Sequence, residues 1–172
     1  MHATALDCYG VGVLIAGAPG IGKSETALEL VERGHRLVAD DKVLLRRGRG
    51  GHLIAQMDPV AEHHMEIRGI GIFDVRRVFG VGQVVNSMEI RLLVHLEEWQ
   101  QGKDYDRTGL EEQYVSLLGI RIPCLVIPVR PGRNIAIIVE VAALNHRLKE
   151  LGVNPARQFS ERVSSKIRNN EN

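Results

Sequence analysis

The sequence predicts an α/β fold in which helices flank a mixed β-sheet. A short, β-branched apolar segment at residues 11–16 runs into a glycine-rich stretch and then into a segment with helical periodicity. Further along the chain, several strand-like segments follow one another with no helix between them. Since parallel neighbours need long crossover connections, those consecutive segments favour antiparallel pairs. The two patterns together favour one sheet with both kinds of neighbour, covered by helices.

The first half of the chain is predicted to form a strand, a helix, a second strand and a hairpin. Residues 11–16 are apolar throughout, which is typical of a strand buried on both faces. Residues 23–33 place four apolar side chains on one helical face, and Gly34 is a natural helix end. A second apolar strand follows at residues 35–39. Residues 42–57 are predicted to form a hairpin whose turn is the sequence RRGRGG.

The middle of the chain is predicted to contain further strands and a long polar loop. Residues 61–82 form a glycine-punctuated segment with a polar start and an apolar centre. Residues 89–96 resemble another strand, and residues 97–109 are polar. Two short apolar runs follow, at residues 120–123 and 125–129.

The last part of the chain is predicted to be helical after a turn at residues 130–133. Asn134 is placed to cap a helix that runs to about Glu150, where glycine and proline follow. Residues 156–167 can form a last helix. Because the sequence shows no repeat and no linker, we expect a single domain over residues 1–172, with the part after about residue 150 helical.

Composition excludes several classes of function. The chain has 172 residues, 44% of them hydrophobic, and its 22 Lys and Arg nearly balance its 21 Asp and Glu. Partners held mainly by charge, such as nucleic acid or a membrane surface, need an excess of cations. Cys8 and Cys124 lack metal-ligand spacing, which favours a reducing compartment. The longest apolar stretch, residues 135–144, is too short to cross a bilayer. We therefore expect a soluble, cytoplasmic protein without nucleic-acid or membrane partners.

The sequence GAPGIGKS lies where the first predicted strand meets the first predicted helix. It matches the phosphate-loop pattern G-x-x-x-x-G-K-[ST] in the strand–loop–helix context that the pattern requires. Glycines let backbone amides turn toward phosphate oxygens, the lysine adds a charge, and the serine hydroxyl can bind Mg²⁺. The predicted nucleotide-binding residues are Gly17, Ala18, Pro19, Gly20, Ile21, Gly22, Lys23 and Ser24.

Asp40 and Asp41 follow the second predicted strand. In an α/β sheet, the carboxyl ends of the strands face the ligand crevice. Two carboxylates beside a bound Mg-ATP could divide the work, one holding the metal and the other taking a proton from an attacking hydroxyl. The alternative is a pair of turn or helix-cap aspartates with no chemical role.

Four segments together resemble the HPr kinase/phosphorylase family over nearly the whole chain. They are GKSETALELVERGHRLVADD, MEIRGIGIFDV at residues 65–75, YDRTG at residues 105–109 and PVRPGRN at residues 128–134. The resemblance implies the mixed-sheet P-loop architecture that this family shares with phosphoenolpyruvate carboxykinases. It also implies a homo-hexamer, with the C-terminal helix available for contacts with the protein substrate.

The resemblance further implies a reaction. ATP, or pyrophosphate as an alternative donor, would bind residues 17–24, with Ser24 and Glu66 near Mg²⁺. An aspartate would accept the proton of a serine hydroxyl on the phosphocarrier protein HPr. In the reverse reaction, inorganic phosphate would attack the phosphoserine and yield pyrophosphate. Family spacing favours Asp41 as the acid/base and Asp40 as its neighbour, but the residues themselves leave both open.

Four other residues receive roles from the resemblance alone. Arg107 would stabilise charge on the transferring phosphoryl group, which suits a permanently charged guanidinium. Arg130 and Arg133 belong to a loop that the family associates with dephosphorylation. His2 matches an active-site histidine by position. The chain departs from the family at Ala18 and Pro19, where a polar pair is usual.

Other functions fit parts of the sequence. A kinase of a small hydroxyl-bearing molecule would use the same phosphate loop. A GTPase-type switch is suggested by DRTG at residues 106–109, which matches D-x-x-G, although no N-K-x-D sequence follows. A module that binds nucleotide without turnover is the third alternative.

Overall fold

The computed structural model describes residues 1–170, with side chains through residue 167. Within those residues the chain forms ten strands and four α-helices. The strands are β1 Thr4–Cys8, β2 Val11–Gly17, β3 Arg36–Ala39, β4 Val43–Arg47, β5 Leu53–Met57, β6 His64–Ile67, β7 Gly71–Asp74, β8 Ser87–Glu98, β9 Gln113–Leu117 and β10 Ile120–Val129. The helices are α1 Lys23–Glu32, α2 Val75–Phe79, α3 Ile135–Glu150 and α4 Pro155–Asn170.

The main sheet is mixed, as the sequence predicts. Its path runs β3-β1-β2-β8-β10-β9, and the β4–β5 hairpin joins it where β5 pairs with β8. The central strands β2, β8 and β10 run parallel, whereas the outer pairs are antiparallel. Strands β6 and β7 form a separate two-stranded sheet. Because β2, β8 and β10 point the same way, the loops that follow them share one edge of the sheet.

The central strands are apolar because both faces of the sheet are covered. In β2, Val13 and Ile15 pack toward α1 and α3, whereas Leu14 and Ala16 pack with side chains of β4 and β5. Successive side chains of a strand point to opposite faces, so each face needs its own apolar set. Helices α1 and α3 therefore cover one face, and the β4–β5 hairpin contributes to the core on the opposite face.

Several sequence predictions of elements are confirmed and others need correction. The hairpin over residues 42–57 and the helices beginning near residues 23, 135 and 155 are present. The apolar runs at residues 120–123 and 125–129 are one continuous strand, β10. The glycine-punctuated segment contains the β6–β7 hairpin and α2, and β1 and β9 were not predicted.

A cluster of charged side chains around the buried Glu140 ties α3 to the end of α1. Glu140 of α3 accepts hydrogen bonds from Arg33 at 2.6 Å and pairs with His35 at 2.8 Å. The Arg33 hydrogen bond, followed by the bond to His35, lowers the pKa of the Glu140 carboxyl although burial opposes the shift. The cluster fixes the two helices against one another on the same face of the sheet.

Among residues 1–170, no helix combines the length and the apolarity needed to cross a membrane.

Candidate active site

The glycine loop, residues 17–24, connects the end of β2 to the start of α1. Gly17, Gly20 and Gly22 have φ values of 149°, 79° and 100°, which side chains rarely adopt. Gly17 also lies against β8, because an added Cβ would stand 2.5 Å from the carbonyl oxygen of Leu96. Glycine at these positions is therefore required by backbone conformation and by close approach.

Lys23 is the first residue of α1, and its side chain reaches back to the start of the loop. Its buried side chain donates from Nζ to the carbonyl oxygens of Gly17 and Ala18, both at 3.1 Å. The N-cap residue of α1 is Gly22, whose missing side chain cannot cap the first turn. The start of α1 therefore presents backbone amides together with an ammonium group, which is the arrangement that binds anions at helix N-termini.

Asp40 lies at the end of β3 with its two carboxylate oxygens in different surroundings. Oδ1 accepts hydrogen bonds from Thr4 Oγ1 at 2.7 Å and from Ser24 Oγ at 3.0 Å. Oδ2 is buried and has no hydrogen-bond partner among the described residues. Burial raises the pKa of Asp40, and the two hydroxyl groups only partly offset that rise.

Asp41 is exposed and is held by the chain's second residue. Its φ is 61°, a left-handed conformation that is uncommon for a residue other than glycine. His2 Nδ1 lies 2.8 Å from Asp41 Oδ1. The N-terminal amine donates to the carbonyl of Val43 at 2.8 Å, and His2 forms a β-bridge with Lys42. These contacts hold His2 against Asp41 and Lys42.

A cavity of about 180 Å³ lies beside the glycine loop. It brings together nine of the residues predicted from sequence: His2, Pro19, Gly20, Gly22, Lys23, Ser24, Asp40, Asp41 and Glu66. Two further charged residues line it that the sequence reasoning did not assign to the site, Glu25 and Arg68. Arg68 lies in the quoted segment MEIRGIGIFDV, two residues after Glu66, so strand alternation could have indicated it.

The three predicted arginines lie in a different cavity. Arg107, Arg130 and Arg133 line a space of about 860 Å³ together with Trp99 and Tyr105. None of the three lines the cavity beside the glycine loop. The loop after β2 lines the first cavity and the loops after β8 and β10 line the second, and since these three strands run parallel, the loops lie at the same edge of the sheet.

The residues around Ser24 suit magnesium better than a transition metal. Within residues 1–170 there is no group of three or more His, Cys, Asp and Glu side chains that would hold a metal on its own. Magnesium usually takes one or two carboxylates and completes its coordination with phosphates and water. The Ser24 hydroxyl and the unpartnered Oδ2 of Asp40, with Glu66 on the same cavity, fit that pattern.

Sequence comparison identifies relatives over nearly the full chain. A sequence model of the family described as HPr Serine kinase C-terminal domain matches residues 1–163. An HPr kinase/phosphorylase from Caldanaerobacter subterraneus subsp. tengcongensis is 54% identical over 169 residues, which cover 98% of this chain and 55% of the relative. An HPr kinase/phosphorylase from Caldicellulosiruptor bescii is also 54% identical, over 96% of this chain and 53% of the relative.

A solved structure has the same fold. The Hpr(Ser) kinase/phosphatase from Coxiella burnetii superposes with a TM-score of 0.83 at 38% sequence identity. The superposition covers 92% of this chain and 96% of that chain.

The fold and the cavity define a class of protein: mixed-sheet α/β proteins with a glycine loop, a buried lysine and paired aspartates at the carboxyl edge of the sheet. The chain belongs to the HPr Serine kinase C-terminal domain family. It spans about 55% of the length of the curated relatives it matches.

Proposed function

We propose that this protein transfers a phosphoryl group from Mg-ATP to a seryl residue of the phosphocarrier protein HPr. The observation that carries the proposal is the cavity beside the glycine loop, where Lys23, Ser24 and the Asp40–Asp41 pair meet. A cationic loop next to two carboxylates suits a reaction that holds a polyphosphate while an alcohol loses its proton. The kinase names of the relatives, at up to 54% identity, supply HPr as the substrate.

In this proposal residues 17–24 act as a P-loop in a fold like that of phosphoenolpyruvate carboxykinases. The Lys23 ammonium would exchange its two carbonyl partners for oxygens of the β- and γ-phosphates. Ala18 and Pro19 offer no polar side chain, and proline has no amide hydrogen, so the phosphates would be held by the remaining amides. Ser24, Asp40 and Glu66 would hold Mg²⁺, which screens the phosphate charge when bound.

The two aspartates are proposed to have separate roles. Asp40 is buried, and its Oδ1 already accepts two hydroxyl hydrogen bonds. Its position therefore suits the metal side of the site and not proton transfer with an incoming protein. Asp41 is exposed toward solvent and contacts His2, so it can reach the hydroxyl of a protein substrate. We assign Asp41 as the group that takes the serine proton.

The reverse reaction would use the same groups. Inorganic phosphate attacks the phosphorus of phosphoserine, the P–O bond to serine breaks, and Asp41 returns a proton to the serine oxygen while pyrophosphate forms. Arg107 would stabilise the charge on the phosphoryl group in transit, and Arg130 and Arg133 would act in dephosphorylation. Their cavity opens at the same sheet edge as the glycine loop, which is compatible with these roles.

Two alternatives are not favoured. A kinase of a small hydroxyl compound would share the phosphate site, but the relatives are named for a protein substrate. In the GTPase alternative, the aspartate of D-x-x-G would act at the nucleotide site. Asp106 instead accepts backbone amides of Thr108 and Gly109 and lines the larger cavity.

The experiment combines the chain with HPr, Mg²⁺ and labelled ATP, and then adds excess inorganic phosphate. We expect phosphoserine on HPr in the first step and pyrophosphate in the second. Asp41→Asn should reduce turnover by about 10²–10⁴, the usual contribution of an acid/base group, and leave nucleotide affinity intact. Glu89→Gln, on an exposed carboxylate, is the matched control. An HPr that stays unphosphorylated with Mg-ATP would contradict the proposal.

The family resemblance also supports a homo-hexamer in the cytoplasm. Light scattering at several protein concentrations measures the mass of the assembly and so tests the homo-hexamer. A mass that stays at the 19.1 kDa of one chain would argue against it.

A further inference from the structure

A stack of aromatic and cationic side chains lies in the larger cavity. The rings of Trp99 and Tyr105 are stacked at 5.0 Å with an interplanar angle of 25°. The Arg130 guanidinium lies 5.2 Å from the centre of the Trp99 ring, and Lys103 Nζ lies 5.4 Å from the centre of the Tyr105 ring. The stack thus joins the loop after β8 to the loop after β10.

Hydrogen bonds reinforce the connection between these loops. The Trp99 amide donates to the carbonyl of Val129 at 3.0 Å, one residue before Arg130. Lys103 donates to Glu97 Oε1 at 2.6 Å, and Tyr105 Oη accepts from the amide of Gln100. The loop after β8 is therefore folded back on itself around the two rings.

Burial does not explain the position of Trp99. Trp99 is 45% exposed. The free energy gained by removing its apolar surface from water is therefore only part of what holds the indole ring in place. Cation–π contact and ring stacking supply directional attraction at such exposed sites. Tyr105 lies two residues before Arg107, and the Asp106 carboxylate turns the chain there by accepting the amides of Thr108 and Gly109.

We propose that Trp99 is a positioning residue whose indole ring holds Arg130 and the Arg107 loop together so that both guanidinium groups receive a seryl phosphate monoester. The proposal rests on the proposed function for the identity of the phosphorylated group. Guanidinium groups bind phosphate through paired N–H donors, so their orientation decides affinity. Trp99 itself does not touch the phosphate. It acts through the two arginines.

The test measures binding of N-acetyl-O-phosphoserine amide by ³¹P NMR, with Mg-ADP saturating the glycine loop. Four proteins are compared: the wild type, Trp99→Leu, Trp99→Phe and Tyr114→Leu. Tyr114 is the matched control because its ring also stacks on a guanidinium, that of Arg121 at 3.8 Å, but lies outside the cavity. Mg-ADP affinity is measured for each protein as a check on the rest of the site.

Trp99→Leu should weaken phosphoserine binding at least about tenfold, because the leucine side chain has no ring face for a cation. Trp99→Phe should stay within about threefold of the wild type, since a phenyl ring keeps a weaker form of the contact. Tyr114→Leu should match the wild type, and Mg-ADP affinity should be unchanged throughout.

Three results would overturn the positioning role. They are phosphoserine binding by Trp99→Leu at wild-type strength, a parallel loss of Mg-ADP affinity in that variant, and a wild type that does not bind phosphoserine. Failure of the proposed function gives a different result: the four proteins would show the expected phosphoserine binding, but HPr would stay unphosphorylated.

Discussion

Asp40 and Asp41 are adjacent in the chain, yet their carboxylates lie in opposite environments. Asp40 closes β3 inside the protein, where Thr4 and Ser24 donate to one oxygen and nothing described reaches the other. Asp41 turns outward through a left-handed backbone and meets His2. Both residues follow the end of β3, and the left-handed conformation at Asp41 breaks the extended path there, so that one carboxylate stays inside and the next faces outward. That difference is the basis of the separate roles proposed for the two aspartates, which the sequence left interchangeable.

The buried carboxylate should lower the stability of the folded chain at neutral pH. Burial raises the pKa of Asp40, so the folded state resists its ionisation. The cost is absent below the unfolded pKa, about 3.9, grows as pH rises above it and is complete above the folded pKa. Asp40→Asn removes the charge and keeps an oxygen for both hydroxyl groups. We expect it to stabilise the chain by about 1 kcal/mol at pH 7, measured by thermal unfolding with EDTA present.

The control is Asp106, whose pKa is shifted in the opposite direction. Backbone amides of Gly109 and Thr108 lower the pKa of Asp106, so its ionised form stabilises the folded chain above its unfolded pKa. Asp106→Asn should therefore give no stabilisation at pH 7. An Asp40→Asn variant that is less stable than the wild type at pH 7 would show that ionisation of Asp40 does not destabilise the folded state.

At the scale of elements, close packing of β2 against β8 depends on Gly12. A Cβ added there would stand 1.9 Å from the carbonyl oxygen of Glu89, which no side-chain rotation relieves. Gly12→Ala must push the two central strands apart, and we expect a loss of about 3 kcal/mol in the free energy of unfolding. Urea denaturation measures it. Gly82→Ala is the control, since its Cβ meets nothing within 4 Å, and it should change stability little.

The ion cluster between α1 and α3 gives a second prediction for elements. The interactions of the cluster lower the pKa of Glu140. The ionised carboxylate therefore stabilises the folded state at pH values above the unfolded pKa, about 4.3. This contribution is lost as the pH falls through the folded pKa. Glu140→Gln should cost about 2 kcal/mol at pH 7, less than a fully buried pair because Arg33 is partly exposed.

The free energy of unfolding, measured from pH 7 downward, tests whether the charge on Glu140 links the two helices. Wild type and Glu140→Gln should converge in stability at low pH, where both side chains are neutral. Glu89→Gln, whose partner His52 lies at the surface, should stay within about 0.5 kcal/mol of the wild type throughout. A Glu140→Gln deficit that persists unchanged at low pH would mean that packing, not charge, links the helices.

Elements with a strong local pattern could be predicted from sequence, and those fixed by distant contacts could not. The glycine loop and α1 combine turn residues with helical periodicity, and both are present at the predicted residues. Strand β9 is only five residues long, is exposed at three of them and exists by pairing with β10. Strand β10 continues through Cys124, which separated the two predicted runs, because β8 and β9 both pair with it there.

The same limit applies to the candidate site. Local pattern places Lys23, Ser24 and the aspartates together, and the structure gathers them around one cavity. That Thr4 supports Asp40 could not be predicted, since the contact spans 36 residues and no motif contains it. The separation of the three arginines into a second cavity likewise depends on how the loops after β8 and β10 fold.

At the scale of the whole molecule, α3 and α4 expose more apolar surface than a lone chain should. Four side chains along one side of α3 are exposed at helical spacing, and three more follow on α4. They are Ile137, Val141, Leu144, Leu148, Phe159, Val163 and Ile167. Exposed apolar side chains repeated along one side of a helix mark an interaction surface, because water contact with them is costly. We infer that the proposed assembly buries these side chains; the family resemblance also makes the C-terminal helix α4 available to the protein substrate.

The last prediction is that charge placed on this surface lowers the mass of the assembly. Phe159→Asp puts an ion where an apolar contact would form, and a charge buried without a partner costs several kcal/mol. Light scattering at several concentrations should give a multiple of 19.1 kDa for the wild type and a smaller mass for Phe159→Asp. Val60→Asp is the control, since Val60 is 93% exposed on a turn outside both helices. Equal masses for wild type and Phe159→Asp would place the subunit contact elsewhere.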